Sequence, residues 1–593
     1  MSKILKVTIF LSTLLLFVLS PRVTLAATYD LPFSTYYGGG TYEHARDIFV
    51  DSQGNMYVVG GTNSSNFPIT TGPGFNTGNC QVVGSAGSMD AFIIKFDSTG
   101  RRLWARLIGG PCYDRAYGVE VDNQGYVYIA GRAGPGFPVT QGAFQSTFQG
   151  TDNGIYGREN AFIAKIRPDG SVVEWASYVG VGQLARDIAL DSNNDIYVPL
   201  GYSGSGGTPP SSWFINAYQK TLKGGRESGV VKVRSDGTAV LWGTWLGGSG
   251  HDTQEASVRV DSNKNVYIIF STLSSGIPTT TGVYDSSHNG GQDNFIAKLS
   301  PDGANLLFGT YYGGSGDEWM STHNLALDSS GNVYISTWTD STNITTTSGA
   351  FQRSYGGGAS DMAIAKFSPT GALLNSTYLG GNGNENPDGF QVSSNGSIFI
   401  TGMSGSTNFP VPTSSDSYQR TKSGGADAVV VQLSNSLNSV TFSSFLGSGA
   451  DDNGRSGFID GQGNMYVVGE SAGTGYPVFG TAGSYQSNFN GGSQDIIISK
   501  LVASMTTPTA TPRPTAIVTN TPIPSATNTP TPTPAVKRGD ANGDGAVNEL
   551  DYDIWLAHYL DPTLSVPGEN PDFNDDGKYD GIDYAIWLNN YGL

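Results

Sequence analysis

The sequence predicts an all-β propeller of seven four-stranded antiparallel blades, followed by a small all-α domain. Three observations predict it. A glycine-marked unit recurs seven times, each unit carries four strand signals, and the last 56 residues hold one loop-and-helix pattern twice.

The chain of 593 residues opens with Lys3 and Lys6 ahead of an apolar run from Val7 to Leu19. Pro21 breaks the run, and Thr24-Leu25-Ala26 offers a cleavage site. Residues 1–26 therefore read as a secretory signal peptide, because the run is too short to span a bilayer. No later stretch is long and apolar enough to span, and no cysteine follows the signal for lipid attachment. The mature protein is expected to be soluble and extracytoplasmic. With 82 glycines and only 14% charged residues, the composition favours a turn-rich β protein. A net charge of −18 argues against a nucleic-acid partner, which calls for a basic face. From Arg538 onward twelve Asp and Glu face two Lys and Arg, so −10 of that charge lies in the tail.

The repeat spans 28–505. Its glycine marks are Tyr37-Gly38-Gly39, Ile108-Gly109-Gly110, Val179-Gly180, Leu246-Gly247-Gly248, Tyr312-Gly313-Gly314, Leu379-Gly380-Gly381 and Leu446-Gly447, spaced 66 to 71 residues apart. A fixed long period implies an array or closed ring of similar units. In each unit a first strand ends in a turn, as in Asp51-Ser52-Gln53-Gly54, and a second follows, Asn55-Met56-Tyr57-Val58-Val59. Repeat six weakens this hairpin to S-S-N-G-S-I-F-I (393–400). A third strand reads D-A-F-I-I-K-F (90–96) or D-N-F-I-A-K-L (293–299), and a tight turn leads to a fourth such as L-L-F-G-T-Y-Y (306–312). Runs of β-branched and aromatic residues bounded by Gly, Asp, Asn and Pro are strand-and-hairpin signals. The chain enters on a fourth-type strand, F-S-T-Y-Y (33–37), and leaves on a third-type strand, D-I-I-I-S-K-L (495–501). The entering strand is expected to complete the last blade and close the ring.

F-S-T-Y-Y-G-G, V-D-S-Q-G-N-M-Y-V-V-G, N-F-P-I-T (66–70) and D-A-F-I-I-K-F resemble the seven-bladed β-propeller repeat family SBBP over about residues 28–503. The resemblance implies a fold and no general activity.

Connections between first and second strands, and between third and fourth, are tight turns on one face. The long second-to-third loops, such as Thr62–Met89 and Ala133–Glu159, share the opposite face with the fourth-to-first segments. Function favours long loops on a rigid scaffold. Cys80 and Cys112 both fall on that face, and in an oxidising compartment they are expected to form a disulfide. The fourth-to-first segments carry Glu43, His44 and Arg46; Asp114 and Arg115; Arg186 and Asp187; His251 and Asp252; Asp317 and Glu318; Glu385 and Asp388; Asp451 and Asp452. Converging on a mouth, these residues would make a sugar or cation site. Left apart, they fix turns and hold blades together, which is the simpler expectation. Trp213, Trp319 and Trp338 are candidates for stacking on sugar rings, or for packing between blades.

Residues 506–537 turn Thr- and Pro-rich and read as an extended, semi-rigid spacer, a candidate for O-glycosylation. Two acidic loops follow in 538–593. The first places Asp540, Asn542, Asp544, Ala546, Asn548 and Asp551 at loop positions 1, 3, 5, 7, 9 and 12. The second places Asp572, Asn574, Asp576, Lys578, Asp580 and Asp583 likewise. Position 6 is a glycine in both, and positions 546 and 578 would offer backbone carbonyls. Hard oxygens at this spacing suit Ca2+, one ion per loop. Similar helices follow, L-D-Y-D-I-W-L-A-H-Y-L (550–560) and I-D-Y-A-I-W-L-N-N-Y (582–591).

Aspartate at position 12, the duplication and the place after a Thr/Pro linker resemble a dockerin. That resemblance implies a calcium-dependent fold and a cohesin-type protein partner on a scaffold or cell surface. Positions 10 and 11, Glu549-Leu550 and Gly581-Ile582, depart from the Ser-Thr pairs of many cellulosomal dockerins. Because dockerins often serve polysaccharide-degrading systems, two functions follow for the propeller. It is a non-catalytic module holding a polysaccharide or protein on its long-loop face, or it is a lyase or glycosidase. No paired-carboxylate or Ser/His/Asp signature stands out, which favours binding.

Overall fold

Each glycine-marked unit becomes one antiparallel sheet, and there are seven. The computed structural model describes residues 28–504, except 77, 79, 81–87, 153–156, 183, 203, 205–206, 414–416 and 479–484. Beyond these it describes Ala541, Val547, Asp551, Ile554, Trp555, His558, Asp572 and Phe573. The two groups belong to separate compact units, divided after Pro508. No helix among the described residues is long and apolar enough to cross a membrane.

Blade 1 shows the plan: Glu43–Val50, Met56–Thr62, Asp90–Phe96 and Arg102–Ile108 pair in that order. First strands are innermost and bond to one another around the axis. Val119 N–H of blade 2 donates to Asp47 of blade 1 at 2.9 Å, and Val258 N–H of blade 4 donates to Asp187 of blade 3 at 3.0 Å. The inner strand is shortest in blade 3, Ala189–Leu190, and split in blade 5 into Glu318–Trp319 and Leu325–Leu327. Thr28–Tyr37 pairs antiparallel with Asp495–Ser504 as the outer strand of blade 7, so the ring closes as expected.

The hairpin motif has a physical reason. Asp51 Oδ1 accepts the backbone N–H groups of Gln53 and Asn55, both at 2.9 Å, which fixes the turn. Its Oδ2 accepts the Tyr57 hydroxyl at 3.1 Å. Tyr57 lies directly across from Lys95, whose Nζ sits 4.8 Å from the ring centroid. An Asp–Tyr–Lys set of this kind joins turn, second strand and third strand. It recurs in five more blades, with Asp–Tyr bonds of 2.8 to 3.1 Å. Blade 6 replaces all three members, with Ser393, Phe399 and Gln432. The three positions that meet in the other blades thus change together in this one.

The glycine doublets are required by what crosses them. At four of the seven marks, Gly38, Gly247, Gly313 and Gly380, a buried acid from the third strand of one blade and one from the first strand of the next both lie against the glycine. A Cβ at Gly313 would meet Asp293 Oδ1 at 2.3 Å and Glu318 Oε2 at 2.4 Å. At Gly380 the neighbours would be Asp361 at 2.4 Å and Glu385 at 2.7 Å; at Gly38, Asp495 at 2.3 Å and Glu43 at 2.8 Å. Burial pushes Asp293, Asp361 and Glu318 each up to about 7. On the long-loop face a Cys80–Cys112 disulfide, S–S 2.04 Å, ties the loop of blade 1 to the segment entering blade 2.

Two predictions follow from these inter-blade contacts. A carboxyl with a raised folded pKa stabilises the fold below its unfolded value near 4 and loses that contribution as pH climbs to the folded value. Each such proton contributes up to about 1.4 kcal/mol per pH unit. Thermal unfolding of the full chain is therefore expected at lower temperature at pH 8 than at pH 5.5, and Asp293→Asn flattens the slope. A midpoint that rises over that range contradicts the assignment. Replacing both Cys80 and Cys112 by serine opens a loop of sequence separation 32, a loss of roughly 3–4 kcal/mol by loop entropy, read as a lower unfolding midpoint.

Candidate functional site: the axial channel and its mouth

The inner strands carry β-bulges. Pairing skips from Ala45 to Asp47, from Ala116 to Gly118, from Pro387 to Gly389 and from Gly454 to Ser456. The extra residues are Arg46, Tyr117, Asp388 and Arg455. A bulge re-aims one side chain without breaking the sheet, and here it turns charged and aromatic groups into the axis.

Tyr117 is fully buried at the centre of an arginine cluster. The guanidinium carbons of Arg115, Arg46, Arg132 and Arg186 lie 4.6, 4.9, 5.1 and 5.7 Å from its ring centroid. Burial alone would raise the phenol. Arg115, Arg132, Arg46 and Arg186 outweigh it and bring Tyr117 below the usual phenol range. Three of the cluster's cations have carboxylates. Arg132 pairs with Glu159 at 3.1 Å, Arg186 with Glu255, and Arg455 with Asp388 at 3.0 Å and Glu470 at 2.9 Å. Arg115 donates to the Tyr117 hydroxyl and lies 2.9 Å from His44 Nδ1. An arginine can only donate, so Nδ1 is an acceptor and the ring proton sits on Nε2, 2.8 Å from Glu470 Oε1. Burial and then Arg46, Arg115, Arg455 and Arg132 hold His44 well below its ordinary pKa, so it is neutral.

A second layer lies beside the first. His323 of blade 5 has a left-handed backbone, φ 56°, and reaches across the axis. Its Nδ1 is 3.2 Å from Asp187 Oδ1 of blade 3, and its Nε2 is 3.0 Å from the Tyr117 carbonyl of blade 2 and 3.5 Å from Asp47 of blade 1. Burial opposes the charge, but Asp47 and Asp187 raise the imidazole above its ordinary pKa. Asp187 also accepts Arg259 of blade 4 at 2.6 Å, and Asp47 accepts the Ser456 hydroxyl of blade 7 at 2.8 Å.

Two cavities open on the long-loop face. One, of about 280 Å³, is lined by Leu184, Arg226, His251, Glu255, Leu273 and Trp319 among others. The other, of about 310 Å³, is lined by Met403, Asp451, Asn453, Arg455, Glu470 and Gln494 among others. Each shares a wall with the axial cluster, Glu255 with its partner Arg186 on one side and Arg455 with Glu470 on the other. The tight-turn face is less closed than the loop lengths imply. A cavity of about 670 Å³ lies there, between blades 6, 7 and 1, where Ser393, Ser394, Gly461 and Gly54 leave space.

The mouth charges divide into two sets. Asp114, Asp252, Glu318, Glu385 and Asp452 accept the N–H of the residue four positions before them, at 2.5 to 2.9 Å, and so fix the entry turns. Glu43 occupies the matching buried position beside Gly38. His44, Arg46, Arg115, Arg186, Asp187 and Asp388 instead converge on the axis. Sequence reasoning missed Tyr117, Arg132, Glu159, Glu255, Arg455 and Glu470; for Tyr117 and Arg455 the signal was the bulge register, visible only by aligning the repeats on their Gly marks. Of the tryptophans, Trp213 packs edge-on against Phe144, 6.0 Å away. Trp319 reaches a mouth cavity, and Trp338 lies across from it in the sheet.

In the C-terminal unit the described residues include two of the candidate metal ligands, Asp551 and Asp572. The others, Asp540, Asn542, Asp544, Ala546, Asn548, Asn574, Asp576, Lys578, Asp580 and Asp583, lie outside them. Asp551 is helical and fully buried, and its Oδ1 accepts the Ala541 N–H at 2.8 Å. The last loop position thus folds back over the second. Ala541, Val547, Trp555 and Phe573 pack behind it.

Residues 538–591 match the family described as Dockerin type I domain, whose members generally bind calcium, and residues 33–68 match the Beta-propeller repeat family, SBBP. The chain is similar to the Regulatory protein FlaEY of Caulobacter vibrioides, 24% identical over 254 residues, or 40% of this chain and 25% of that protein. It thus spans about a quarter of that relative's length. Among solved structures, a protein of unknown function from Dyadobacter fermentans shares a TM-score of 0.35 at 10% identity, over 80% of this chain and 99% of that one. Quinohemoprotein Alcohol Dehydrogenase from Comamonas testosteroni gives 0.35 at 10% identity, over 80% and 76%. The chain is a seven-bladed β-propeller of the SBBP repeat type that carries a dockerin type I domain at its C-terminal end.

Proposed function

We propose that the chain is a secreted binding protein. Its propeller holds an extended ligand across the long-loop mouth, and its dockerin attaches it to a cohesin-type partner on an extracellular or cell-surface assembly concerned with polysaccharide use. The observation that carries this reading is the pair of cavities flanking the axial cluster. One offers Trp319 and the half-exposed Leu273 beside polar side chains and the other is lined mostly by polar ones, and two openings suit a chain-like ligand better than a compact one. Asp540, Asn542, Asp544, Ala546, Asn548 and Asp551 would hold one Ca2+, and Asp572, Asn574, Asp576, Lys578, Asp580 and Asp583 a second. Signal cleavage after Ala26 and a spacer at 506–537 complete the reading.

His44 favours a second reading, a polysaccharide lyase. A neutral imidazole beside arginines is what proton abstraction next to a carboxylate calls for. Against it, both His44 nitrogens are engaged, Nδ1 by Arg115 at 2.9 Å and the Tyr42 hydroxyl at 2.7 Å and Nε2 facing Glu470 at 2.8 Å, which leaves no lone pair for a substrate proton.

The test is retention of the full chain on a panel of plant, algal and bacterial polysaccharides with calcium present, with released products assayed in the same tubes. Retention without new reducing ends or unsaturated sugars is expected. Release of either product establishes the enzyme instead. Capture by a panel of cohesin domains is expected to be abolished by EDTA; capture that survives EDTA contradicts a calcium-dependent dockerin.

A further inference from the structure

We infer that the axial arginine cluster is an oxyanion site, built to take the carboxylate or sulfate ester of an acidic sugar at Arg46. This deepens the binding reading above and rests on it only for the extended ligand.

Charge balance is the first support. Five guanidiniums, Arg46, Arg115, Arg132, Arg186 and Arg455, share the axial layer with four carboxylates, Glu159, Glu255, Asp388 and Glu470. His44 is neutral, so the layer carries one net positive charge (5 − 4 = +1) inside a protein of net charge −18. An acidic protein that concentrates cations on its axis draws anions to that point.

The second support is Arg46 itself. It is 8% exposed and, unlike the other four, its side chain makes no hydrogen bond or ion pair among the described residues; its Nε is buried and makes no bond, a property the Nε atoms of Arg115, Arg132 and Arg186 share. Its one contact of note is the Tyr117 ring. A buried guanidinium is expected to be paired, and its fork fits a carboxylate or sulfate bidentately. Burial and the neighbouring Arg115 lower its pKa to about 10, and Glu470, the carboxylate it stabilises electrostatically, is bonded by Arg455 instead. Arg46 lines neither mouth cavity, so an anion would reach it between its neighbours. The flanking Arg186 and Arg455 side chains are 14% and 21% exposed, and Arg455 lines a mouth cavity.

The experiment titrates the full chain, calcium-loaded and at fixed ionic strength, with glucuronate, glucose 6-sulfate and glucose, followed by calorimetry. Binding of at least one anionic sugar is expected at least tenfold more tightly than glucose. The two anionic arms separate carboxylate from sulfate ester. Arg46→Gln is expected to lose that preference at least tenfold, and Arg46→Lys to recover part of it. Equal binding of anionic and neutral sugars, or an unchanged Arg46→Gln, overturns the proposal. A second readout does not depend on ligand. In anion-poor buffer Arg46→Gln removes an uncompensated buried charge, so its unfolding midpoint is expected to match or exceed wild type; a lower midpoint makes Arg46 a structural residue and overturns the site. Anionic sugar bound at Arg46 with no polysaccharide retained would sustain the site and remove the extended ligand. Polysaccharide retained equally by Arg46→Gln would do the reverse.

Discussion

Everything in the propeller depends on one pairing, that of Thr28–Tyr37 with Asp495–Ser504. A ring of blades has no hub of its own; each sheet is held in place by its two neighbours. Until the first strand meets the last, blade 7 lacks its outer strand and shows a bare edge. The closing contact is long in sequence, with Ser34 and Ser499 hydroxyls 2.9 Å apart across 465 residues. Such closure is slow by its topology, since nearly the whole chain must be in place first.

Closing the ring brings seven inner strands to an axis, and the axis then has to be filled. This protein fills it with polar groups. His323 bonds or ion-pairs with blades 1, 2 and 3 from blade 5, Asp187 carries the link to blade 4, and Asp47 carries it to blade 7. Asn324 donates to the Pro387 carbonyl and adds blade 6. Buried polar networks of this kind are costly when incomplete and specific when complete. The His323 layer is complete. The arginine layer next to it has one member, Arg46, without a bond.

The fold was legible in the sequence because its signals are local and repeated. The Asp–Tyr spacing of each hairpin, the glycine marks and the strand type at either end named seven blades and their closure. The Cys80–Cys112 contact was legible from loop position and compartment. The axial cluster was not. Arg46, Tyr117 and Arg455 reach the centre through bulges, and a bulge shifts a side chain from one face to another without leaving a mark in periodicity. Arg132, Glu159 and Glu470 come from second and third strands that read as ordinary β runs. The expected role of the mouth acids was half right: the first acid of each inner strand fixes a turn, while the residues one to three positions further on meet at the axis.

Repeat six departs from the others at Ser393, Phe399 and Gln432, and the reason lies at the other end of the chain. Gln432 Nε2 donates to the Tyr29 hydroxyl at 3.1 Å, and the Tyr29 ring lies 4.5 Å from Phe442. A ring of near-identical units faces a counting problem, because a free end that fits one slot fits them all. A lysine at 432, as in the other six blades, could donate to the tyrosine but could not also accept the Thr441 hydroxyl, which Gln432 Oε1 takes at 2.8 Å. The odd blade therefore gives the chain's first strand a contact that the other six blades, with lysine at this position, do not repeat.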